Sequence, residues 1–136
     1  MSFVDALADQ RPLVAVFGEP VPTFGPVDLH EVTVHRDGPV VRLRFDLAEY
    51  PAQPPAKWVT GGADTVQVVL DLVGVDRLAV TGAMTNMRGP LTARQTDGGS
   101  VTAEFRSGEV SVVVTARAAV ISSLSAYAIS RGPAPR

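Results

Sequence analysis

A regular alternation of apolar and polar residues is the feature that most constrains the fold of this 136-residue chain. Alternation with a period of two places every second side chain on the same side of a β-strand. It runs through residues 32–45, 65–72 and 91–114, and is interrupted mainly at glycine-containing turns. The pattern predicts a mostly β fold, a single-domain antiparallel meander that forms one curled sheet or a small sandwich of about eight or nine strands.

Three turn sequences set the expected pairing of neighbouring strands. Asp37-Gly38 is typical of a two-residue hairpin turn, and Asp97-Gly98-Gly99 suits a three-residue turn with glycine in the left-handed conformation. Ser107-Gly108 is expected to close a third hairpin. The predicted pairs around the first turn are Val34–Val41, Val32–Leu43, His30–Phe45, Thr33–Arg42 and Glu31–Arg44. Those around the second turn are Leu91–Phe105, Ala93–Ala103 and Gln95–Val101. Those around the third turn are Phe105–Val110, Ala103–Val112 and Val101–Val114, with Arg106 facing Glu109.

The remaining segments carry weaker local signals. Residues 2–9 predict a short N-terminal helix with Ser2 as its N-cap, and residues 13–17 predict a short strand. Residues 65–73 and 77–82 are expected to pair with each other around Gly74. Residues 119–129 fit a helix or a strand, and the serines and the preceding strand favour a strand. We therefore expect one domain over residues 1–130 and a disordered Gly/Pro-containing tail over residues 131–136.

A proline-rich bridge, residues 50–58, separates two of the alternating stretches. Proline fixes φ and has no backbone N–H, so this bridge cannot join a ladder and is expected to be an extended crossing or a corner. It begins at Tyr50 and ends at Trp58, the single tryptophan. We expect Trp58 to pack beneath the prolines and close the core. Tyr50 is as well suited to anchoring a partner as to packing.

Composition limits the classes of partner and the cellular location. Hydrophobic residues make up 46% and charged residues 19% of the chain, which suits a folded globular protein. The net charge is −2 and the basic residues are interspersed with acids, so we expect no nucleic-acid partner. No apolar run is long enough to span a bilayer and the start lacks a secretion signal, which favours a cytoplasmic protein with no membrane contact. The excess of arginine over lysine, with abundant alanine, valine, glycine and proline, suggests a GC-rich actinobacterial genome.

Few side chains in the sequence suggest catalysis or metal binding. Cysteine is absent, which removes disulfides and thiolate chemistry. The two histidines, His30 and His35, are five residues apart on one strand, so without a bulge their side chains point to opposite faces. Asp28 and His30 share a face, but a closed metal site needs about four ligands. We therefore predict no catalytic residues, no metal site and no cofactor.

The order of several segments resembles a known family. The segments are Phe17-Gly18-Glu19-Pro20, Val27 to Val32, Gly38 to Leu47, Pro51 to Trp58, Asp64 to Leu72 and Val75 to Gly82. Together they look like immunity protein family 50, and the similarity extends from about Leu13 to Tyr127. Members are small bacterial proteins thought to neutralise toxins of polymorphic toxin systems.

The resemblance implies a protein that binds and neutralises a cognate toxin by stoichiometric occlusion, without enzymatic activity. The sequence is compatible with a monomer or a homodimer. The side chains expected to contact the toxin are Glu31, Glu49, Tyr50 and Asp64, because acidic groups complement a basic nuclease and an aromatic anchors a contact. The flexible loop at residues 84–90 is either a surface turn with one buried methionine or a further contact surface. The alternative is a small β-barrel that binds a lipid or metabolite, with room left by the inward-facing Ala93 and Ala103.

Overall fold

The structure is a computed structural model that describes residues 2–129. In this range the chain forms nine strands, two short helices and an N-terminal 3₁₀ turn, Phe3–Ala6. The helices are α1 (Arg11–Phe17) and α2 (Ala56–Thr60). The strands are β1 (Val27–His35), β2 (Val40–Asp46), β3 (Thr65–Val73), β4 (Arg77–Gly82), β5 (Arg88–Gly89), β6 (Leu91–Gln95), β7 (Val101–Arg106), β8 (Val110–Ala116) and β9 (Ala118–Tyr127).

The strands form two antiparallel sheets. The first sheet has the order β5-β1-β2-β3-β9, and the second has the order β4-β8-β7-β6. Apolar side chains from both sheets, such as Phe45 of β2 and Phe105 of β7, belong to one buried cluster. The prediction of a mostly β, small-sandwich fold is confirmed. Within residues 2–129, neither helix has the length and apolar composition needed to cross a bilayer.

Two of the three predicted hairpins have the predicted register. Around Asp37-Gly38, Val34 pairs with Val41 and Val32 with Leu43, and Glu31 lies opposite Arg44. Around the Asp97-Gly98-Gly99 turn, the pairs Leu91–Phe105, Ala93–Ala103 and Gln95–Val101 are all present. In both hairpins the register that brings apolar residues together on one face is the register adopted.

The predicted pair of His30 with Phe45 is wrong. The register shifts between Leu29 and Glu31, so Leu29 lies opposite Phe45 and His30 is the extra residue of a β-bulge. A bulge places two residues of one strand against one residue of its partner and redirects the side chain of the inserted residue. His30 therefore contacts the polar outer face of the first sheet instead of the core, as described below.

The third hairpin forms, but its register differs from the prediction by two residues. Phe105 pairs with Val112 and Ala103 with Val114, and Val101 pairs with Ala116. The two turn residues are Gly108 and Glu109, since the Ser107 N–H donates to the Val110 carbonyl at 2.9 Å. The Ser107 hydroxyl oxygen accepts from the Val110 N–H at 3.0 Å, which stabilises this turn. Arg106 consequently forms an ion pair with Glu104, and the predicted contact with Glu109 is wrong.

The predicted pairing of residues 65–73 with residues 77–82 is also wrong. β3 pairs with β2 and β9 in the first sheet, whereas β4 pairs with β8 in the second. The chain changes sheet at Gly74, where φ is +66° and an added Cβ would overlap the Arg117 side chain. This change of sheet produces the small sandwich, one of the two predicted forms, instead of a single curled sheet.

Helical structure in the N-terminal part differs from the prediction. Residues 13–17 belong to helix α1, with Pro12 in its first turn, instead of a strand. The predicted helix at residues 2–9 is a 3₁₀ turn, with Ser2 as its N-cap as expected, since the Ser2 hydroxyl oxygen accepts from the Val4 N–H.

The C-terminal segment and the proline bridge largely follow the prediction. The segment of uncertain type is strand β9, and the prediction for residues 131–136 lies outside the described residues. The proline bridge stays out of both sheets as expected, but its last three residues belong to α2 instead of an extended crossing. Trp58 of this helix is buried in the core, as expected. Tyr50 lies beside it, with the ring centroids 6.2 Å apart.

The two sides of the sandwich, where the edges of the sheets face each other, are covered differently. On one side the N-terminal segment fills the gap between β6 and β9. Its 3₁₀ turn packs on β6, Leu7 forms a parallel bridge with Ala119, and Phe3 is buried. On the opposite side, between β1 and β4, the described residues leave an open groove.

Candidate functional site

The outer face of the first sheet carries cross-strand ion pairs. The Arg44 Nε donates to the Glu31 carboxylate at 2.8 Å, and the Thr33 hydroxyl donates to its other oxygen at 2.7 Å. The Arg42 guanidinium donates twice to Asp71 on β3, at 2.7 and 3.0 Å. These side chains lie opposite or beside each other because the β1/β2 and β2/β3 registers place them there. The charged groups of this face are therefore held in fixed positions.

In each ion pair the pKa of one member is shifted in the direction that keeps that member charged. The hydrogen bond from Arg44, followed by that from Thr33, lowers the pKa of the Glu31 carboxyl. The hydrogen bond to Asp71 raises the pKa of the Arg42 guanidinium. Both groups stay charged near neutral pH.

A polar cluster at the end of β2 is centred on Asp46. The Asp46 residue is 3% exposed, and its carboxylate accepts hydrogen bonds from the His30 Nε2 at 2.8 Å, the Gln67 amide at 3.1 Å and the Tyr127 hydroxyl. These donors come from β1, β3 and β9, so the cluster joins four adjacent strands. Hydrogen bonds from three donors offset the cost of burying a polar side chain. Donation by Nε2 to that carboxylate also fixes the tautomer of His30.

The surroundings of the Tyr127 hydroxyl raise its pKa. Its hydrogen bond to Asp46, with smaller effects of burial and of the carboxylate charge, raises the pKa of Tyr127 to about 12. A phenolate at this position would lie against a negative charge, so the protonated phenol is favoured. The Tyr127 hydroxyl therefore stays protonated, and can donate its hydrogen bond, throughout the physiological pH range.

An apolar groove of about 470 Å³ lies between the edges of the two sheets. Its walls and floor include Val32 and Val34 of β1, Leu78 and Val80 of β4, and Val110 and Val112 of β8. The floor is buried, whereas Val34 and Val80 expose 59% and 54% of their surface. The loop that joins β4 to β5 adds two methionines to the lining. The groove continues into the polar face, because Glu31 and His30 contribute to both.

The structure distributes the four predicted contact residues over separate parts of the first sheet. Glu31 is exposed on β1 at the rim of the groove. Asp64 precedes β3, where its carboxylate accepts from the Thr65 hydroxyl at 2.8 Å and the Ile129 N–H at 3.2 Å. Glu49 and Tyr50 follow β2, and the Glu49 Oε1 atom and the Tyr50 hydroxyl are buried without a hydrogen-bond partner in the part of the chain that the structure describes.

Sequence reasoning missed Asp46, Tyr127 and the role of His30. Asp46 follows Arg42 and Arg44 at a spacing of two, which is the spacing of side chains on one face of a strand, but nothing in the sequence marks it as buried. Tyr127 is 81 residues away along the chain, in the segment whose type was uncertain. Residues 2–129 contain no group of three or more His, Asp or Glu side chains arranged to hold a metal ion.

Comparison with known proteins yields one match. A family model described as Immunity protein 50 matches residues 9–127, which is most of the chain. No curated protein and no solved structure matches significantly. The matched range includes both sheets, the polar cluster and the groove, and leaves out the 3₁₀ turn that fills the opposite gap.

Proposed function

This chain belongs to the immunity protein 50 family, and we propose that it binds a cognate bacterial toxin and neutralises it by stoichiometric occlusion. The observation that carries the proposal is the family match over residues 9–127. The toxin is a component of a polymorphic toxin system, and neutralisation takes place in the cytoplasm of the cell that makes both proteins. Occlusion requires no turnover and no cofactor.

The geometry supports occlusion because the exposed surface is already ordered. Ion pairs fix Glu31, Arg42 and Arg44, and the Asp46 cluster ties four strands together. A surface that is ordered before binding loses little conformational entropy when it docks. A stable complex of this type buries roughly 1,200–2,000 Å² in total.

Among the predicted contact residues, Glu31 has the best position for the toxin interface. Its side chain is 48% exposed and lies between the polar face and the groove. Asp64, Glu49 and Tyr50 are proposed to lie toward the periphery of the same interface, since they flank the strands of the first sheet. The buried polar atoms of Glu49 and Tyr50 could reach a partner only after a local rearrangement.

The proposal is tested by co-expression. The product of the gene immediately upstream is expressed alone and together with this protein, and growth of the host is measured. We expect growth arrest by the upstream product alone and restored growth with the pair, with a one-to-one complex in a pull-down. An upstream product that is toxic in both conditions would contradict the proposal.

The alternative of a barrel-type metabolite binder loses its sequence support. Ala93 and Ala103 are 2% and 1% exposed and belong to the buried core that both sheets share. The two sheets also have separate strand orders and do not close into a barrel.

A further inference from the structure

The groove lies between β4, an edge strand, and the part of β1 that β5 does not cover within the described range. β4 pairs with β8 on one side only. β1 pairs with β2. On its other side β5 pairs with Val27 and Asp28, and the Met87 carbonyl accepts from the Leu29 N–H, so no described strand pairs with the edge at residues 31–35. An uncovered edge presents a row of backbone donors and acceptors to any extended chain that approaches it.

Along β4, the ladder geometry identifies the amides that point away from β8. The Ala83 N–H donates to the Glu109 carbonyl, which sets the alternation of inward and outward groups along this strand. By this alternation the N–H groups of Leu78 and Val80 point toward the open edge. Their side chains line the groove, so a strand added here would meet backbone donors and apolar side chains together.

The opposite side of the same sandwich shows what kind of segment closes such a gap. There the N-terminal segment lies between β6 and β9, buries Phe3, Val4 and Leu7, and forms a parallel bridge to Ala119. A short apolar segment, a 3₁₀ turn followed by one bridge residue, therefore completes one side of the fold. The groove between β1 and β4 presents a comparable arrangement of edges and apolar side chains without such a segment in the described chain.

The charge of the groove further restricts its occupant. Among the described residues that line it, only His30 and Glu31 can carry a charge, and these are bonded to Asp46 and to Arg44. An uncharged segment suits such a lining better than a charged helix or a nucleic acid, because burying an unpaired charge is strongly unfavourable. The chain's own residues 130–136 offer no aliphatic or aromatic side chain larger than alanine and proline.

We propose that the groove between β1 and β4 is the docking site of the toxin, and that it binds an extended, uncharged, apolar segment of the toxin as an added β-strand. This inference rests on the proposed function and assigns its contact surface. Addition of a strand to an exposed edge combines backbone hydrogen bonds with side-chain contacts and is a known mode of peptide recognition. Met84, which is 77% exposed at the end of the groove, adapts its shape to the bound segment.

Charge substitutions inside the groove test the inference. Val34→Glu and Val80→Glu place a carboxylate among apolar side chains, and Val59→Glu is the matched control on α2, where Val59 is 62% exposed. All three positions are exposed in the free protein, so we expect thermal melting close to that of the wild type. Affinity for the upstream toxin should fall about 100-fold or more in the two groove variants and stay unchanged in the control.

The outcomes separate this inference from the proposed function. Relief of toxicity by the wild type and the control but not by the groove variants supports both the toxin-binding function and the groove as the docking site. Relief by the wild type and all three variants overturns the groove as the docking site and leaves the toxin-binding function intact. Failure of the wild type to relieve toxicity rejects the proposed function itself.

Hydrogen exchange distinguishes an added strand from side-chain docking. In the complex with the upstream toxin, the amides of Leu78 and Val80 should exchange at least about tenfold more slowly than in the free protein, because they gain backbone partners. Unchanged exchange at both amides in a one-to-one complex would overturn strand addition. A free wild type that elutes as a dimer, while Val80→Glu elutes as a monomer, would show a second copy as the occupant and would also overturn the inference.

Discussion

Asp46 combines near-complete burial with three hydrogen-bond donors, which offset the cost of burying its polar side chain. The donors belong to three other strands, so this one side chain connects most of the first sheet. The exposed pair of Glu31 and Arg44 differs, because water competes for both partners and such pairs contribute little to folding. Polar residues of one face thus have different roles: Asp46 organises the sheet, and Glu31 is available to a partner.

The raised pKa of Tyr127 can be measured directly. In Tyr50→Phe, Tyr127 is the single tyrosine, and phenolate absorbance should give a midpoint at about 12 instead of the usual value near 10. Because the folded-state pKa lies above the unfolded one, the stability that this hydrogen bond contributes is fully present below about pH 10. It is lost as the pH rises through about 12.

Asp46→Asn, added to the same background, is the control for this titration. It removes the charge that the phenol contacts, so the midpoint should move back toward about 10. Near-identical midpoints with and without the Asp46 carboxylate would show that the hydrogen bond does not form in solution.

At the scale of elements, the N-terminal segment contributes to the core although it lies outside the family match. The Phe3 ring lies 5.3 Å from that of Phe45 and 5.8 Å from that of Phe24. It therefore links the segment to β2 and to the connector before β1. A buried aromatic with two ring contacts stabilises the fold by area burial and by ring geometry.

Removing the Phe3 ring should destabilise the protein strongly. We expect Phe3→Ala to lower the free energy of unfolding by roughly 3–5 kcal/mol, because the cavity opens in a packed core. Urea denaturation followed by circular dichroism measures the change. Val59→Ala, at an exposed position on α2, is the control and should have little effect. A small effect of Phe3→Ala would mean that the segment does not fill the gap between β6 and β9.

The loop between β4 and β5 crosses from one sheet to the other and is flanked by two glycines in close contact with the backbone. A Cβ on Gly82 would overlap the Glu109 carbonyl, and a Cβ on Gly89 would overlap the Arg106 carbonyl. We expect Gly82→Ala and Gly89→Ala each to lower the free energy of unfolding by more than about 1 kcal/mol.

Gly98→Ala is the matched control for these two substitutions, since Gly98 has open space around it and no positive φ. Thermal unfolding of the three variants is compared with that of the wild type. Equal melting temperatures for all three would show that the crossing loop adjusts to a side chain at residues 82 and 89.

The elements also show what the sequence could predict. Local hairpins were predictable because a one-residue slip around Asp37-Gly38 would expose the apolar face. The register of the third hairpin differs from the predicted register by two residues. A shift of two residues keeps every side chain on its face, so the apolar pattern could not distinguish the two registers. The bulge at His30 has no turn residue to mark it. The sequence could not predict that β4 belongs to the second sheet, because inward-facing residues alternate in the same way in either sheet.

The same limits apply to the candidate site. Glu31 was predictable as an exposed residue from its place in the first hairpin. The Asp46 cluster requires β9 to lie beside β3, and the groove requires two edges to stay uncovered. Both depend on the arrangement of distant strands, which alternation within one segment does not encode.

At the scale of the whole molecule, both sheets contribute to one core. Val66, Val68 and Leu70 of the first sheet and Val112 and Val114 of the second belong to the same buried cluster. Neither sheet has a separate apolar interior, so neither can bury its inner face without the other. The prediction of one domain over residues 1–130 thus leads to an expectation for unfolding.

We expect the protein to unfold in a single cooperative transition. Trp58 fluorescence reports on α2 and the surrounding core, and far-ultraviolet circular dichroism reports on all the strands. The two signals should give the same midpoint and the same slope in urea, because breaking either sheet exposes the inner face of the other. Phe3→Ala should shift both curves together, since its ring belongs to the shared core. A Trp58 transition that precedes the loss of circular dichroism would instead show that the proline bridge and α2 detach as a separate unit.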